Sequence, residues 1–226
     1  MNFDPASRSP LTRHDLGRFV GASLFDRIGQ VICEAECLPR KELFESWEFV
    51  RRVRRRFRGG RIVDLACGHA LVAHLMLLLD DSSAGAVAVD RRLPASAAKV
   101  ARALCAAWPR LEGRIEFVQA PIADLPIESN DIVVSVHACG SLTDVILARA
   151  VAAGSRVAVL PCCHNAATCD AGGVGGWVDV PLAIDLTRAA GLRHAGYRVV
   201  TQTIPLSITP KNRLLLGEPI SARQAG

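Results

Sequence analysis

From residue 61 onward, the chain alternates short runs rich in β-branched residues with longer segments of helical periodicity. The predicted strands are Arg61–Ala66, Ala86–Asp90, Arg114–Gln119, Asp131–His137, Arg156–Leu160, Tyr197–Ile204 and Arg213–Gly217. The helices predicted between them are His69–Leu79, Ala95–Trp108, Ser141–Ala153 and Pro181–Ala190. Strands that alternate with helices are typical of a doubly wound parallel sheet. We therefore predict an α/β fold with a mostly parallel, seven-stranded sheet, whose last two strands form an antiparallel hairpin because no helix separates them.

The residues before this alternation are predicted to form a helical extension. Residues 1–20 are predicted to form a loosely ordered arm, in which Met1–Asp15 is polar and contains Pro5 and Pro10. Two helices are predicted to follow at Ser23–Cys37 and Lys41–Phe57. Half of the 226 residues are hydrophobic and 22% are charged, which suits a chain with a buried core and excludes a disordered one. The predicted division is an extension over residues 1–58 and a main domain over residues 59–226.

Cellular location is predicted from the apolar runs and the cysteines. The most apolar run, Leu71–Leu79, is far shorter than the roughly 20 residues that span a bilayer. Met1–Asp15 lacks the apolar segment of an export signal, so the eight cysteines are expected to be reduced thiols. We predict a cytoplasmic protein that does not contact a membrane.

The first two predicted strands end in residues that suit a nucleoside ligand. The first strand runs into Val-Asp-Leu-Ala-Cys-Gly-His-Ala, in which Gly68 lets the backbone approach a ligand closely. The second strand ends at Asp90, whose carboxylate can accept hydrogen bonds from both hydroxyls of a ribose. The three glycines of a dinucleotide fingerprint are missing, which favours a nucleoside without a pyrophosphate.

These motifs resemble those of the class I S-adenosylmethionine-dependent methyltransferases, which have a Rossmann-like fold. The resemblance covers residues 60–217 and implies S-adenosylmethionine as cofactor, with Asp90 at the ribose and Ala120, Pro121 and Ile122 beside the adenine. The cofactor-binding residues implied in this way are Asp64, Ala66, Cys67, Gly68, Asp90, Arg91, Ala120, Pro121, Ile122 and His137. The alternative is that these residues are ordinary strand ends of another α/β enzyme.

Two later motifs resemble a narrower group of methyltransferases. The fourth strand runs into His-Ala-Cys-Gly-Ser-Leu-Thr-Asp (residues 137–144), and the fifth runs into Pro-Cys-Cys-His (residues 161–164). Together they are similar to the catalytic domain of the eukaryotic tRNA 2′-O-methyltransferase that acts on the acceptor stem, and to related methyltransferase-like proteins. The residues before Gly59 do not resemble the zinc-binding modules of that tRNA enzyme.

The same two motifs contain the candidates for acid–base chemistry. Their strands are expected to be neighbours, so both loops should open onto one cleft. Methyl transfer to a hydroxyl or amine requires removal of a proton, for which His137 and His164 are candidate bases and Asp144 a candidate orienting group. The predicted catalytic residues are His137, Asp144, Cys162, Cys163 and His164.

The cysteines of these motifs allow three interpretations. One is a nucleophile that adds to a pyrimidine, but the Asp-x-Pro-Cys of RNA 5-methylcytosine enzymes is missing here. Another is a metal site, whose candidate ligands are Cys139, Cys162, Cys163, His164 and Cys169. Adjacent cysteines are poorly suited to tetrahedral chelation and no Cys-x₂-Cys pair occurs. We therefore expect no metal, and small cysteines that pack along the cleft.

A concentration of arginines bears on the methyl acceptor. Residues 51–61 contain seven arginines and no acid, so this stretch carries +7 and the rest of the chain −2. An RNA backbone could bind to Arg51–Arg58, and RNA is therefore the predicted acceptor. The alternatives are a solvated helix end with a small molecule or protein side chain as acceptor, or a binding protein without catalysis.

Overall fold

The computed structural model describes residues 3–220, which form a seven-stranded sheet with helices on both faces. The strands are β1 (Ile62–Leu65), β2 (Ala86–Asp90), β3 (Ile115–Gln119), β4 (Ile132–Ser135), β5 (Arg156–Val159), β6 (Tyr197–Thr203) and β7 (Arg213–Pro219). Their order is β3-β2-β1-β4-β5-β7-β6, with β7 antiparallel to both of its neighbours and the other adjacent pairs parallel. The predicted fold class and closing hairpin are confirmed.

The helices also follow the predicted alternation. They are α1 (Leu24–Ala35), α2 (Arg40–Arg54), α3 (Leu71–Leu79), α4 (Ala95–Ala107), α5 (Leu142–Ala153) and α6 (Val180–His194). Helix α6 is longer than predicted, since it continues through Gly191. The Asp179 side chain caps its start by accepting a hydrogen bond from the backbone N–H of Leu182 (2.8 Å).

The prediction of a loosely ordered arm is wrong for residues 3–20. Leu11 and Phe19 are buried, and a short 3₁₀ helix (Arg13–Arg18) lies between them. The backbone N–H of Leu11 donates to the carbonyl of Leu38 (2.9 Å), which ties the segment to the start of α2. The Phe19 ring occupies the space that a side chain at Gly29 would need. The segment is ordered because the free energy gained from these contacts with α1 and α2 offsets the conformational entropy that the segment loses.

Helix α2 runs along the sheet from its carboxyl edge to its amino edge. Its first turn contains Glu42, which lies near the end of β1, and its last turn contains Arg54, which binds groups at the opposite edge. Buried residues of α1, α2, α3 and β1 belong to one apolar cluster. The domain boundary at residues 58 and 59 stays a prediction. Within residues 3–220, no helix is long and apolar enough to cross a membrane.

Candidate active site

The loop that follows β1 has a strained backbone around an open space. Ala66, Gly68 and Ala70 all have positive φ values, of 57°, 52° and 57°. For alanine this conformation costs about 1 kcal/mol or more, and such strain concentrates at functional sites. A Cβ added to Gly68 would meet no heavy atom of residues 3–220 within 4 Å. The loop therefore presents bare backbone to a space that a ligand can fill.

Asp90 borders this space from the end of β2. One of its carboxylate oxygens accepts a hydrogen bond from the backbone N–H of Gly68 (3.1 Å), and the other accepts from that of Arg92 (3.1 Å). A carboxylate has about four acceptor positions, so it can also receive two ribose hydroxyls. The pair of Gly68 and Asp90 thus fits the nucleoside of S-adenosylmethionine. Arg91 lies beside them with an exposed side chain.

The adenine side of the site is formed by the end of β3. The backbone N–H of Ala120 donates to the carbonyl of Asp90 (3.1 Å), so the two strand ends are held together. Pro121 is exposed, and Ile122 is buried at the start of a short 3₁₀ helix, Ile122–Asp124. The family resemblance implies that the adenine lies beside these residues, and their contact with it stays a prediction.

Asp64 is a buried carboxylate beneath the Gly68 loop. It accepts a hydrogen bond from the backbone N–H of Ala73 (3.1 Å), and burial raises its pKa from 3.8 to about 8. It lines a cavity of about 10 Å³ together with Ala66, Cys67 and His137. That volume holds about one water molecule, so a nucleoside has to lie outside it, along the edge between Gly68 and Asp90.

The raised pKa of Asp64 predicts how stability depends on pH. Between pH 3.8 and about 8 the folded state keeps a proton that the unfolded chain loses, so the free energy of unfolding falls as pH rises. The slope contributed by this one group is at most about 1.4 kcal/mol per pH unit. Urea unfolding at several pH values checks it, with Asp64→Asn as the variant that lacks the titrating group. Equal slopes in the two proteins would contradict the prediction.

Glu42 and His69 form a contact over the same cavity that the sequence did not indicate. Glu42 lines the cavity from α2, and its Oε1 lies 2.8 Å from the Nδ1 of His69. Neither residue is among the site residues predicted from the sequence. No local signal links residues 27 positions apart, so this contact follows from the packing of α2 against α3.

The loops after β4 and β5 meet at the same edge of the sheet, as expected. Backbone pairing continues past the strands as a parallel bridge between Cys139 and Cys163. The Sγ atom of Cys139 lies 3.3 Å from that of Cys162 and 3.4 Å from that of Cys163, which are themselves 3.7 Å apart. His137 is exposed and reaches the cavity beneath the Gly68 loop. Of the two candidate bases, it is therefore the one that lies beside the cofactor residues, and it precedes Cys139 by two positions.

His164 lies in a different environment from His137. Its side chain is only 1% exposed, and its Nε2 is 2.8 Å from Oδ1 of Asp185. Its Nδ1 is buried without a hydrogen-bond partner among the described residues. Arg213 donates to the other oxygen of Asp185 (2.6 Å). Burial alone would raise the pKa of Asp185, but the hydrogen bonds from His164 and Arg213 lower it.

Arg188 connects this network to the loop after β4. It is 3% exposed and donates to both carboxylate oxygens of Asp144 (2.7 and 3.0 Å) and to the carbonyl of Gly140 (3.0 Å). Its Nη1 also lies 3.3 Å from Asp185. Asp144, predicted to orient a histidine or the substrate, is thus paired with an arginine that the sequence analysis did not single out.

The arginine cluster lies at the amino edge of the sheet, away from these loops. Its position is shown by the carbonyl of Arg58, which accepts a hydrogen bond from Arg156 at the start of β5 (2.6 Å). The predicted RNA-binding stretch Arg51–Arg58 includes Arg54, which is not exposed. That side chain is buried, donates to the carbonyl of Met76 (2.8 Å) and pairs with Asp80 (3.0 Å). Among the neighbouring arginines, Arg51 and Arg52 form ion pairs with Glu48, and Arg58 forms one with Asp80.

Comparisons with known proteins agree with this fold. Residues 41–169 match the family described as a methyltransferase domain, and no curated protein matches the sequence. An O-methyltransferase family protein from Burkholderia thailandensis is similar in structure, with a TM-score of 0.53 and 17% identity over 92% of this chain and 68% of that one. The ribosomal protein L11 methylase from Lactobacillus delbrueckii subsp. bulgaricus has a TM-score of 0.51 and 11% identity over 80% of this chain and 78% of that one.

A third similar structure is the M1A22 tRNA methyltransferase TrmK of B. subtilis, with a TM-score of 0.51 and 14% identity over 76% of this chain and 65% of that one. At these identities the structural likeness shows the fold, whereas the family match covers more than half of the sequence. The chain belongs to the methyltransferase domain family, and it is an enzyme of Rossmann-like fold whose methyl donor is S-adenosylmethionine.

Proposed function

We propose that the protein transfers the methyl group of S-adenosylmethionine to an acceptor held over the loops that follow β4 and β5. The observation that carries this proposal is that His137 lines one small cavity with Asp64, Ala66 and Cys67. When bound, the cofactor supplies a methyl group already activated by a positive sulfur. The protein then has to hold the nucleoside, align the acceptor and accept its proton.

His137 is the residue best placed to accept that proton. It is exposed and lies beside the residues that border the cofactor space, whereas His164 is buried with its Nε2 on Asp185. We assign His164 a positioning role, since its contact with Asp185 ties the loop after β5 to α6. Cys162 and Cys163 lie in the loop after β5, which the bridge between Cys139 and Cys163 joins to the loop that contains His137.

The proposed acceptor is a small molecule. A cavity of about 410 Å³ lies between α6 and the adjoining ends of β6 and β7, and Pro161, next to Cys162, contributes to its wall. Most of its wall is apolar, with Asp185 and Arg213 as charged groups. Sites for small ligands typically have volumes of about 300–1,000 Å³, apolar walls and a few polar groups. The size and lining of this cavity therefore favour a small-molecule acceptor over a macromolecular one.

RNA is the second candidate acceptor, supported by the exposed part of the arginine cluster. Arg55 and Arg56 are exposed, and Arg51 and Arg58 keep 40% and 60% of their side chains exposed beside their acidic partners. These groups lie at the amino edge of the sheet, so an RNA bound there would have to extend around the domain to present an atom to His137. RNA binding through them should weaken as salt rises.

The acceptor can be identified with methyl-labelled S-adenosylmethionine and cell extract separated into RNA, protein and metabolite fractions. We expect label in the metabolite fraction, and expect His137→Asn to abolish the transfer while the cofactor still binds. Label confined to RNA would favour the second candidate. Transfer to none of the fractions by a protein that binds the cofactor would overturn the proposal.

The role of Asp90 is tested by direct binding of the cofactor. Asp90→Ala removes the acceptor for both ribose hydroxyls and for the N–H of Gly68, and hydrogen bonds to a charged group contribute about 1.5–3 kcal/mol. We expect calorimetry to show a loss of affinity of about 10-fold to 100-fold for S-adenosylmethionine and its demethylated product. Glu112→Ala, which removes an exposed carboxylate from the turn before β3 at the opposite edge of the sheet, is the control. Equal binding by both variants would contradict the assignment.

A further inference from the structure

Three cysteines at the ends of β4 and β5 form a compact cluster of sulfur atoms. The Sγ atoms of Cys139, Cys162 and Cys163 lie 3.3, 3.4 and 3.7 Å apart. All three are free thiols, and Cys139 and Cys163 are exposed. The bridge between the backbones of Cys139 and Cys163 fixes the spacing of the two loops. The convergence therefore depends on the sheet itself and not on a flexible surface.

The spacing of the sulfurs matches what a tetrahedral metal ion requires. With zinc–sulfur bonds of about 2.3 Å, two thiolates of a tetrahedral site lie about 3.8 Å apart, slightly more than the distances seen between these thiols. A cation bound among the three sulfurs would stabilise their thiolate forms.

We propose that Cys139, Cys162 and Cys163 bind a zinc ion as thiolates on the acceptor side of the methyl-transfer cleft. Three sulfur–zinc bonds form, and each S–H bond that breaks releases its proton to solvent. Thiolate ligands in a tetrahedral arrangement favour zinc over harder cations such as magnesium or calcium. This assignment replaces the expectation from the sequence that no metal binds. Adjacent cysteines are poor chelators alone, but the fold adds a third thiol from the neighbouring strand.

The proposed ion keeps one coordination position open. Within residues 3–220, the cluster of possible ligands contains these three cysteines and no fourth residue. His164 is turned to Asp185, and the sulfur of Cys169 lies 3.7 Å from Arg188. Three protein ligands with a fourth position open are typical of catalytic zinc, whereas structural zinc has four. Because Cys139 and Cys163 are exposed, a water molecule or a thiol or hydroxyl of the acceptor could reach the open position.

Metal binding can be measured without knowledge of the acceptor. Reduced protein, stripped with a chelator and free of any affinity tag, would be titrated with Co²⁺ and then with Zn²⁺. We expect one equivalent of Co²⁺ to bind with release of protons and with absorption from thiolate-to-cobalt charge transfer, and we expect Zn²⁺ to displace the Co²⁺ with loss of that absorption. In the unmodified protein, zinc should also protect these three cysteines from alkylation, as read by peptide mass spectrometry.

Cysteine variants decide whether the cluster is the site. Cys139→Ser and Cys163→Ser should each lower the metal affinity by more than about 100-fold. The reason is that loss of a residue that only hydrogen-bonds to a ligand already lowers the affinity by about 10-fold to 100-fold. Cys105→Ser on α4 and Cys169→Ser are matched controls that should bind as the unmodified protein does. Binding of less than one equivalent, no protection from alkylation, or equal losses in the controls would overturn the proposal. Because these readouts do not involve methyl transfer, they stand apart from the test of the proposed function.

Discussion

Replacing Gly68 with valine is expected to weaken binding of S-adenosylmethionine by about 100-fold or more, equivalent to about 2.7 kcal/mol. The reason is steric, because the space in front of Gly68 is empty of other residues of the described chain and is the space assigned to the nucleoside. A β-branched side chain there would occupy it directly. The positive φ of 52° adds a cost in stability of about 1–2 kcal/mol, since side chains with a Cβ disfavour this conformation. Calorimetric titration with the cofactor measures the first effect, and thermal unfolding measures the second.

Gly113→Val is a matched control for this experiment. Gly113 lies in the turn before β3, at the amino edge of the sheet, with a φ of 69° and likewise no described heavy atom within 4 Å of an added Cβ. The control therefore carries the same backbone strain without filling the cofactor space. Both variants should unfold at lower temperature, and only Gly68→Val should lose the cofactor. If both variants lose cofactor binding, or if neither does, the space in front of Gly68 is not where the cofactor binds.

The alternation of strands and helices, and the edge of the sheet at which the candidate residues gather, could be predicted because both depend on local pattern. Each strand–helix unit carries its own periodicity, and parallel strands bring their carboxyl ends to one edge. This is why Gly68 could be placed near Asp90, and Cys139 near Cys162, from sequence positions alone. The resulting contacts are 3.1 Å between Gly68 N and Asp90 Oδ2, and 3.3 Å between the two sulfurs.

The remaining features depend on packing between distant segments, for which a single sequence carries no local signal. The polar stretch before α1 looked unstructured because the partner of Phe19 is the bare backbone of Gly29, which no local pattern reveals. Arg54 looked like one more exposed arginine because its partners, Met76, Asp80 and Ser83, come from the far end of α3 and the following loop. Burial of a charged residue depends on such partners, and they are visible only in three dimensions.

The network centred on Arg188 is the most consequential of these long-range features, and Arg188→Met tests it. The substitution keeps an unbranched side chain of similar length. It removes one of the cations that pair with Asp185 and the donor that binds the carbonyl of Gly140. Removing one partner of a buried ion pair costs about 3–5 kcal/mol. Because the Asp144 side chain is 39% exposed and water can solvate it, we expect a loss near the lower figure. Urea unfolding followed by circular dichroism measures this loss.

Two comparisons separate the network from a general effect of losing an arginine. Arg198→Met affects a cation that is 54% exposed and 3.9 Å from Glu218, so it should change the free energy of unfolding by at most about 1 kcal/mol. Asp144→Asn should lower the free energy of unfolding by less in the Arg188→Met variant than in the unmodified protein, because Arg188→Met has already broken the ion pair. Additive costs would show that the two side chains do not stabilise each other. Since Gly140 follows Cys139 directly, loss of Arg188 should also loosen the loop that carries this thiol, and methyl transfer should fall even where the variant remains folded.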